Sequence, residues 1–142
     1  MSTPKAPRNV PKPPRNASLF EAASRGFAGL ALGFGALTTT ALSSLPDLLG
    51  EQSHVAAIYA EAIPKSAGAA VSAVIASVAL FAKAHQIKNF GNVDASGKRR
   101  NVDIYFIYLF VGFSAFIWHL GGLYGLAMKL SQVVANLPDI RN

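Results

Sequence analysis

Hydrophobic residues fall in three long blocks along this chain, clustered rather than spaced with the short period of a soluble helix or strand. The longest block, Ile104 to Met128, runs 25 residues without a formal charge. At about 1.5 Å per residue in a helix, it is long enough to cross a hydrocarbon core of about 30 Å. The first block, Gly26 to Leu45, holds 20 uncharged residues and ends at Pro46. The second, over 65–82, has an uncharged core from Ser66 to Ala82 with Pro64 just ahead of it. The pattern predicts an all-α integral membrane protein, a bundle of three transmembrane helices spanning 26–45, 65–82 and 104–128.

The faces of these blocks predict how they pack. In lipid, close backbone approach replaces the hydrophobic effect as the source of helix association, so small residues are expected against a neighbour and bulky ones against lipid. In the third block Gly112, Ala115, His119 and Gly122 share a small side. Phe106, Phe110, Phe113, Ile117, Leu120 and Tyr124 form the bulky side, expected to face lipid. In the first block Gly26, Gly29, Gly33, Ala36 and Thr40 make a narrow stripe, and Gly29 with Gly33 is a small-xxx-small pair expected to pack within the chain. In the second, Ser66, Ala69, Ala73 and Ala76 face one way. The predicted packing residues are thus Gly29, Gly33, Ala69, Ala73, Gly112, Ala115 and Gly122.

The flanks are polar. Residues 1–17 carry five prolines and four basic residues with no acid, which predicts a disordered, partly polyproline cytoplasmic arm ahead of a membrane domain over 18–142. Ser18 and Glu21 have capping-box spacing, so a helix is expected to start there. Between Pro46 and Pro64, Val55, Ile58, Tyr59, Ala62 and Ile63 recur at helical spacing, predicting a short amphipathic helix along the interface. Residues 83–103 read as a basic loop containing Lys98, Arg99 and Arg100. Leu130, Val133, Val134 and Leu137 predict a last interfacial turn.

Composition agrees with this picture. Only 14% of the 142 residues are charged, against about 25% in soluble domains. The formal net charge of +6 lies in blocks flanking the spans, so topology explains it better than nucleic-acid binding. There is no cysteine, and hence no disulfide framework. Lys and Arg count five before the first span, one between the first and second, five between the second and third, and two after it. The positive-inside rule then sets the N-terminus and the second loop in the cytoplasm, and the first loop and C-terminus outside, in a membrane expected to be the bacterial inner membrane. The long basic leader and the length of the first hydrophobic run argue against a signal peptide, although Ala41-Leu42-Ser43 offers small residues at which a peptidase could cut.

The chemistry is sparse. No span holds Asp, Glu, Lys or Arg in its interior, which argues against a pump or transporter built from this chain alone. No phosphate loop, serine elbow, HExxH or facing carboxylate pair is present, so neither an enzyme nor a resident cofactor or metal is expected. His119 is the one candidate haem ligand. The number of spans and the membrane histidines are similar to the haem-b anchor subunits of respiratory complexes. Yet His85 and His119 sit about 20 Å apart in depth, whereas bis-histidine ligation needs them level. An interhelical hydrogen bond is the expected role of His119.

The expected function is a non-catalytic structural or assembly subunit of a membrane complex, with other membrane subunits and lipids as partners and a homo-oligomer as a further possibility. Lys98, Arg99 and Arg100 are the candidate contacts to a partner or a lipid headgroup. Cleavage near Ser43 or Ser44 would leave two spans joined by a basic cytoplasmic loop with both ends outside, a layout similar to that of conjugative pilins, though no motif is shared. That favours secretion or conjugation machinery over the alternatives, an anchor of a respiratory or photosynthetic complex, or a pilin-like or pore-forming homo-oligomer.

Overall fold

The computed structural model describes residues 15–51, 53–90 and 104–136, all but one of them helical. Three helices follow in order: α1 (Arg15–Glu51), α2 (Ser53–Phe90) and α3 (Ile104–Ala135). Each is long and apolar enough to cross a membrane. The basic segment with Lys98, Arg99 and Arg100 and most of the proline-rich arm lie outside the described residues.

The helices are longer than the predicted spans, and this corrects three expectations. First, α1 begins at Arg15 rather than Ser18, with Ala17 fully buried, so Ser18 and Glu21 lie inside the helix instead of capping it. Second, no separate interfacial helix occupies 46–64. α1 continues through Pro46 to Glu51, and α2 starts at Ser53 and continues through Pro64. Likewise, Leu130, Val133 and Val134 of the turn expected after the third span belong to α3, and Leu137 lies outside the described residues. Proline removes one backbone donor from a helix, but where neighbouring helices hold the backbone it does not have to end one. Uncharged positions run from 26 to 46 on α1, from 66 to 82 on α2 and from 104 to 128 on α3. The charges bounding the first two stretches, Arg25 and Asp47, and Lys65 and Lys83, are about 33 Å and 27 Å apart along the helix axes, matching a hydrocarbon core of about 30 Å.

α2 is the centre of the molecule. It buries 39% of its most apolar window, against 6% for α1 and 11% for α3. Both flanking helices run antiparallel to it. On one side Ser24 meets Ser77 and Thr38 meets Ser66. On the other, Gly112 meets Ser72 and Ala76, and Gly68 meets His119. The core of this arrangement is Ala69, Ala73 and Phe116, with Phe27, Ala31, Phe34, Leu120 and Leu123 packed against it.

The buried and half-buried positions follow a repeating three-four spacing. On α1 they include Ala17, Phe20, Ser24, Phe27, Ala31, Phe34, Thr38, Ala41, Leu45 and Leu48. On α3 they include Tyr105, Leu109, Gly112, Phe116, His119, Leu123, Leu126, Leu130 and Val133. A seam that recurs every 3.5 residues is that of left-handed coiled-coil packing, and most transmembrane bundles share it. Between α1 and α2 the seam is also stitched by hydroxyls. Ser24 Oγ donates to the Ser77 carbonyl and Ser77 Oγ to the Ser24 carbonyl, both at 2.9 Å. Thr38 Oγ1 lies 2.8 Å from Ser66 Oγ, which also reaches the Ala62 carbonyl of its own helix at 2.9 Å. Such bonds contribute about 0.6 kcal/mol each on average within membranes.

α1 and α3 never bring their backbones together; phenylalanine rings fill the space between them. Phe27 meets Phe113 and Phe116 edge-on at 6.3 and 5.9 Å between centroids, and Phe34 meets Phe116 at 5.6 Å. Nearer the N-terminus of α1, Phe20 meets Phe106, whose ring lies beneath the Lys83 ammonium. Phe106 and Phe113, expected to face lipid, stay exposed while their ring edges also meet α1, and Leu120 is half-buried against the core. The space between two helices that both lean on a third is too wide for small residues.

This packing separates two superficially similar substitutions. Ala73→Leu, at a fully buried position, is expected to lower stability in detergent by about 1–3 kcal/mol through overpacking. Gly33→Leu, whose added Cβ meets nothing within 4 Å, should leave the isolated chain unchanged. Denaturant titration followed by circular dichroism measures both.

Candidate functional site

The predicted packing residues part into two groups. Ala69 and Ala73 are fully buried between the helices. Gly112 is buried, and a Cβ there would come within 3.1 Å of the Ala76 nitrogen and 3.2 Å of the Ser72 carbonyl oxygen. That contact is with backbone, which cannot move aside, so this position needs glycine for close approach. Ala115 is half-buried beside it. Gly29 and Gly33 behave differently. Both are exposed, with open space where a Cβ would be. The stripe from Gly26 to Thr40 turns outward, away from α2 and α3, which corrects the expectation that it packs within the chain.

Sequence reasoning missed Gly68, Phe116 and the lysine–glutamate cluster at the end of α3. Gly68 seats His119: a Cβ there would run into the imidazole ring. The ring is half-buried. Among the described residues it makes no hydrogen bond, so the expected interhelical bond is replaced by packing over a glycine. A heptad template laid over α3 would have found Phe116, since it falls one turn from Gly112 and three residues before His119.

One turn from Gly68, Lys65 lies across Gly122, with its Cε 2.7 Å from where a Cβ would stand. Its ammonium donates to Glu61 Oε1 at 2.8 Å, and Lys129 approaches Glu61 Oε2 at 3.6 Å. The hydrogen bond from Lys65 holds the Glu61 carboxyl below its ordinary value, and Lys129 adds to the effect. At the opposite end of the bundle, Lys88 pairs with Glu21 across α1 and α2. That hydrogen bond likewise holds the Glu21 carboxyl low. Each ion pair lies outside the uncharged stretch of its helix.

Lys65, Ile117, Trp118, His119, Gly121 and Gly122 line an open groove of about 600 Å³ between α2 and α3. Other grooves on the bundle are apolar, such as that of Val74, Ile75, Val78, Tyr105 and Tyr108. No group of three metal-ligating side chains occurs among the described residues. His85 lies 17 residues from Gly68 along α2, or about 25 Å from the level of His119, and hydrogen-bonds with Asn89 at 2.7 Å. The two histidines of one chain cannot hold one haem between them.

No protein-family model, curated protein or solved structure matches this chain. The class defined by the fold is an all-helical protein with three helices able to span a membrane.

The Gly68–His119 contact yields a specific expectation. Gly68→Ala should destabilise the bundle by about 1–3 kcal/mol, as overpacking does. Adding His119→Ala should recover most of that loss, a coupling that a double-mutant cycle measures directly. Gly122→Ala, which meets only the flexible end of Lys65, should be tolerated.

Proposed function

We propose that this chain is a non-catalytic structural or assembly subunit of a multi-protein membrane complex. The observation that carries the reading is the outward glycine stripe of α1. α2 uses its small residues within the chain, whereas Gly26, Gly29 and Gly33 leave α1 backbone open on the outer surface. In lipid, exposed small residues are where a further helix approaches most closely. The uncharged span interiors support a part of a larger assembly rather than a transporter. The partners are other membrane subunits, with lipids around them.

The lysine and arginine distribution supports a cytoplasmic N-terminus and an outer C-terminus, and a bacterial inner membrane suits this arrangement. The basic leader and loop favour secretion or conjugation machinery, on layout alone. Lys98, Arg99 and Arg100 would then meet a cytoplasmic partner or anionic headgroups.

Mild-detergent extraction, native-gel separation and intact-mass analysis of co-migrating species test the reading. The full-length chain should run with other proteins, and Gly29→Leu with Gly33→Leu should release it from them while its helicity is kept. A chain that runs alone as a small homo-oligomer, or a shortened chain of roughly 98 residues forming a homopolymer after removal of a leader, would contradict it.

A further inference from the structure

We propose that the α2–α3 groove around His119 binds the phosphate of an anionic phospholipid. Its volume of about 600 Å³ lies within the 300–1,000 Å³ usual for small-molecule sites. It opens on the outer surface of the bundle, where Trp118 is 81% exposed and Ile117 is 50% exposed. Missing side chains shape it. Gly121 leaves open space, Gly122 lets Lys65 lie flat, and Gly68 lets the His119 ring seat against α2.

The groove offers donors and a surplus of positive charge. Lys65 gives one hydrogen bond to Glu61, and an ammonium has three to give. The His119 ring makes no hydrogen bond among the described residues, so it is the second donor. Glu61 is shared by Lys65 and Lys129, so two positive charges stand against one negative charge at the mouth. That balance favours an anionic head over a zwitterionic or neutral one.

Depth decides between a lipid and a soluble anion. Lys65 marks one end of the uncharged stretch of α2, the level at which headgroups meet hydrocarbon. His119 sits about one turn further in, opposite Gly68. Ile117 and Trp118 continue the groove as an apolar wall, which suits an acyl chain and gives nothing to a free phosphate. The proposal requires that the helices cross a bilayer; it does not require that the chain be a subunit of a complex.

Trp118 is the single tryptophan of the chain, so tryptophan fluorescence comes from this groove and the lipid at its rim. The full-length protein is reconstituted in phosphatidylcholine vesicles. Either brominated phosphatidylglycerol or brominated phosphatidylcholine is included at equal bromine content. Quenching should show about a fivefold preference for the anionic lipid, the factor supplied by one basic residue near a membrane surface. Lys65→Gln with His119→Leu should bring the two lipids to parity. Gly121→Leu, which enters open space and leaves both donors in place, should do the same by filling the groove. Equal quenching in the unaltered protein, or a preference that survives in these variants, would overturn the proposal. A Trp118 response to inorganic phosphate equal to that for the lipid would overturn the lipid assignment. Absence of quenching by either lipid would overturn the membrane crossing on which the proposal rests.

Discussion

Everything in this fold depends on how closely two helices can approach α2. Lipid tails are as apolar as leucine, so burying hydrocarbon gives no net drive once a helix is in the membrane. What remains is van der Waals contact and hydrogen bonding at short range. α2 provides both by being small on two sides at once. Ala69, Ala73, Ala76 and Ser72 are buried, and α3 answers with Gly112, brought almost onto the α2 backbone. On the α1 side the same requirement is met by hydroxyls, with Ser66 and Ser77 on α2 bonded to Thr38 and Ser24. These groups satisfy one another and leave no buried side-chain donor or acceptor without a partner among the described residues.

The second feature follows from the first. With α1 and α3 both drawn to α2, their own backbones stay apart and the gap is filled by rings. Phe116 lies at the centre of this filling, touching Phe27 and Phe34 edge-on, the geometry that the ring quadrupole favours. The bundle is therefore asymmetric, with two close seams and one aromatic seam. Its exposed surface is rich in leucine, valine, isoleucine and phenylalanine on all three helices, as a surface in contact with lipid should be.

This asymmetry explains what the sequence revealed. The three helices were legible because 17 to 25 uncharged residues in a row have few other uses in a chain. Their ends were less so. Residues 46–64 carry prolines and charges, yet share the helical period of the spans, and nothing local says that one helix continues into the next segment. The expectation that small residues meet protein and bulky ones meet lipid succeeds for Ala73 and Gly112, where backbones are close. It fails for Leu120, which is half-buried against the core, and for Gly29 and Gly33, which face outward. Composition along one helix does not say how far away its neighbour stands. The His119 groove was hidden for a related reason, because it is assembled by Gly68 and Lys65 from α2 and by Gly122 from α3.

The central claim is that the three helices cross a bilayer in alternation, with α2 held between the others. The absence of native cysteine makes this directly measurable. Single cysteines introduced as Arg8→Cys, Ser53→Cys, Ser96→Cys and Asn136→Cys would be treated with a membrane-impermeant maleimide in intact cells and again after lysis. The account predicts labelling of Ser53→Cys and Asn136→Cys in intact cells, and of Arg8→Cys and Ser96→Cys only after lysis. Labelling of all four in intact cells, or of Ser53→Cys and Asn136→Cys from opposite sides, would contradict it.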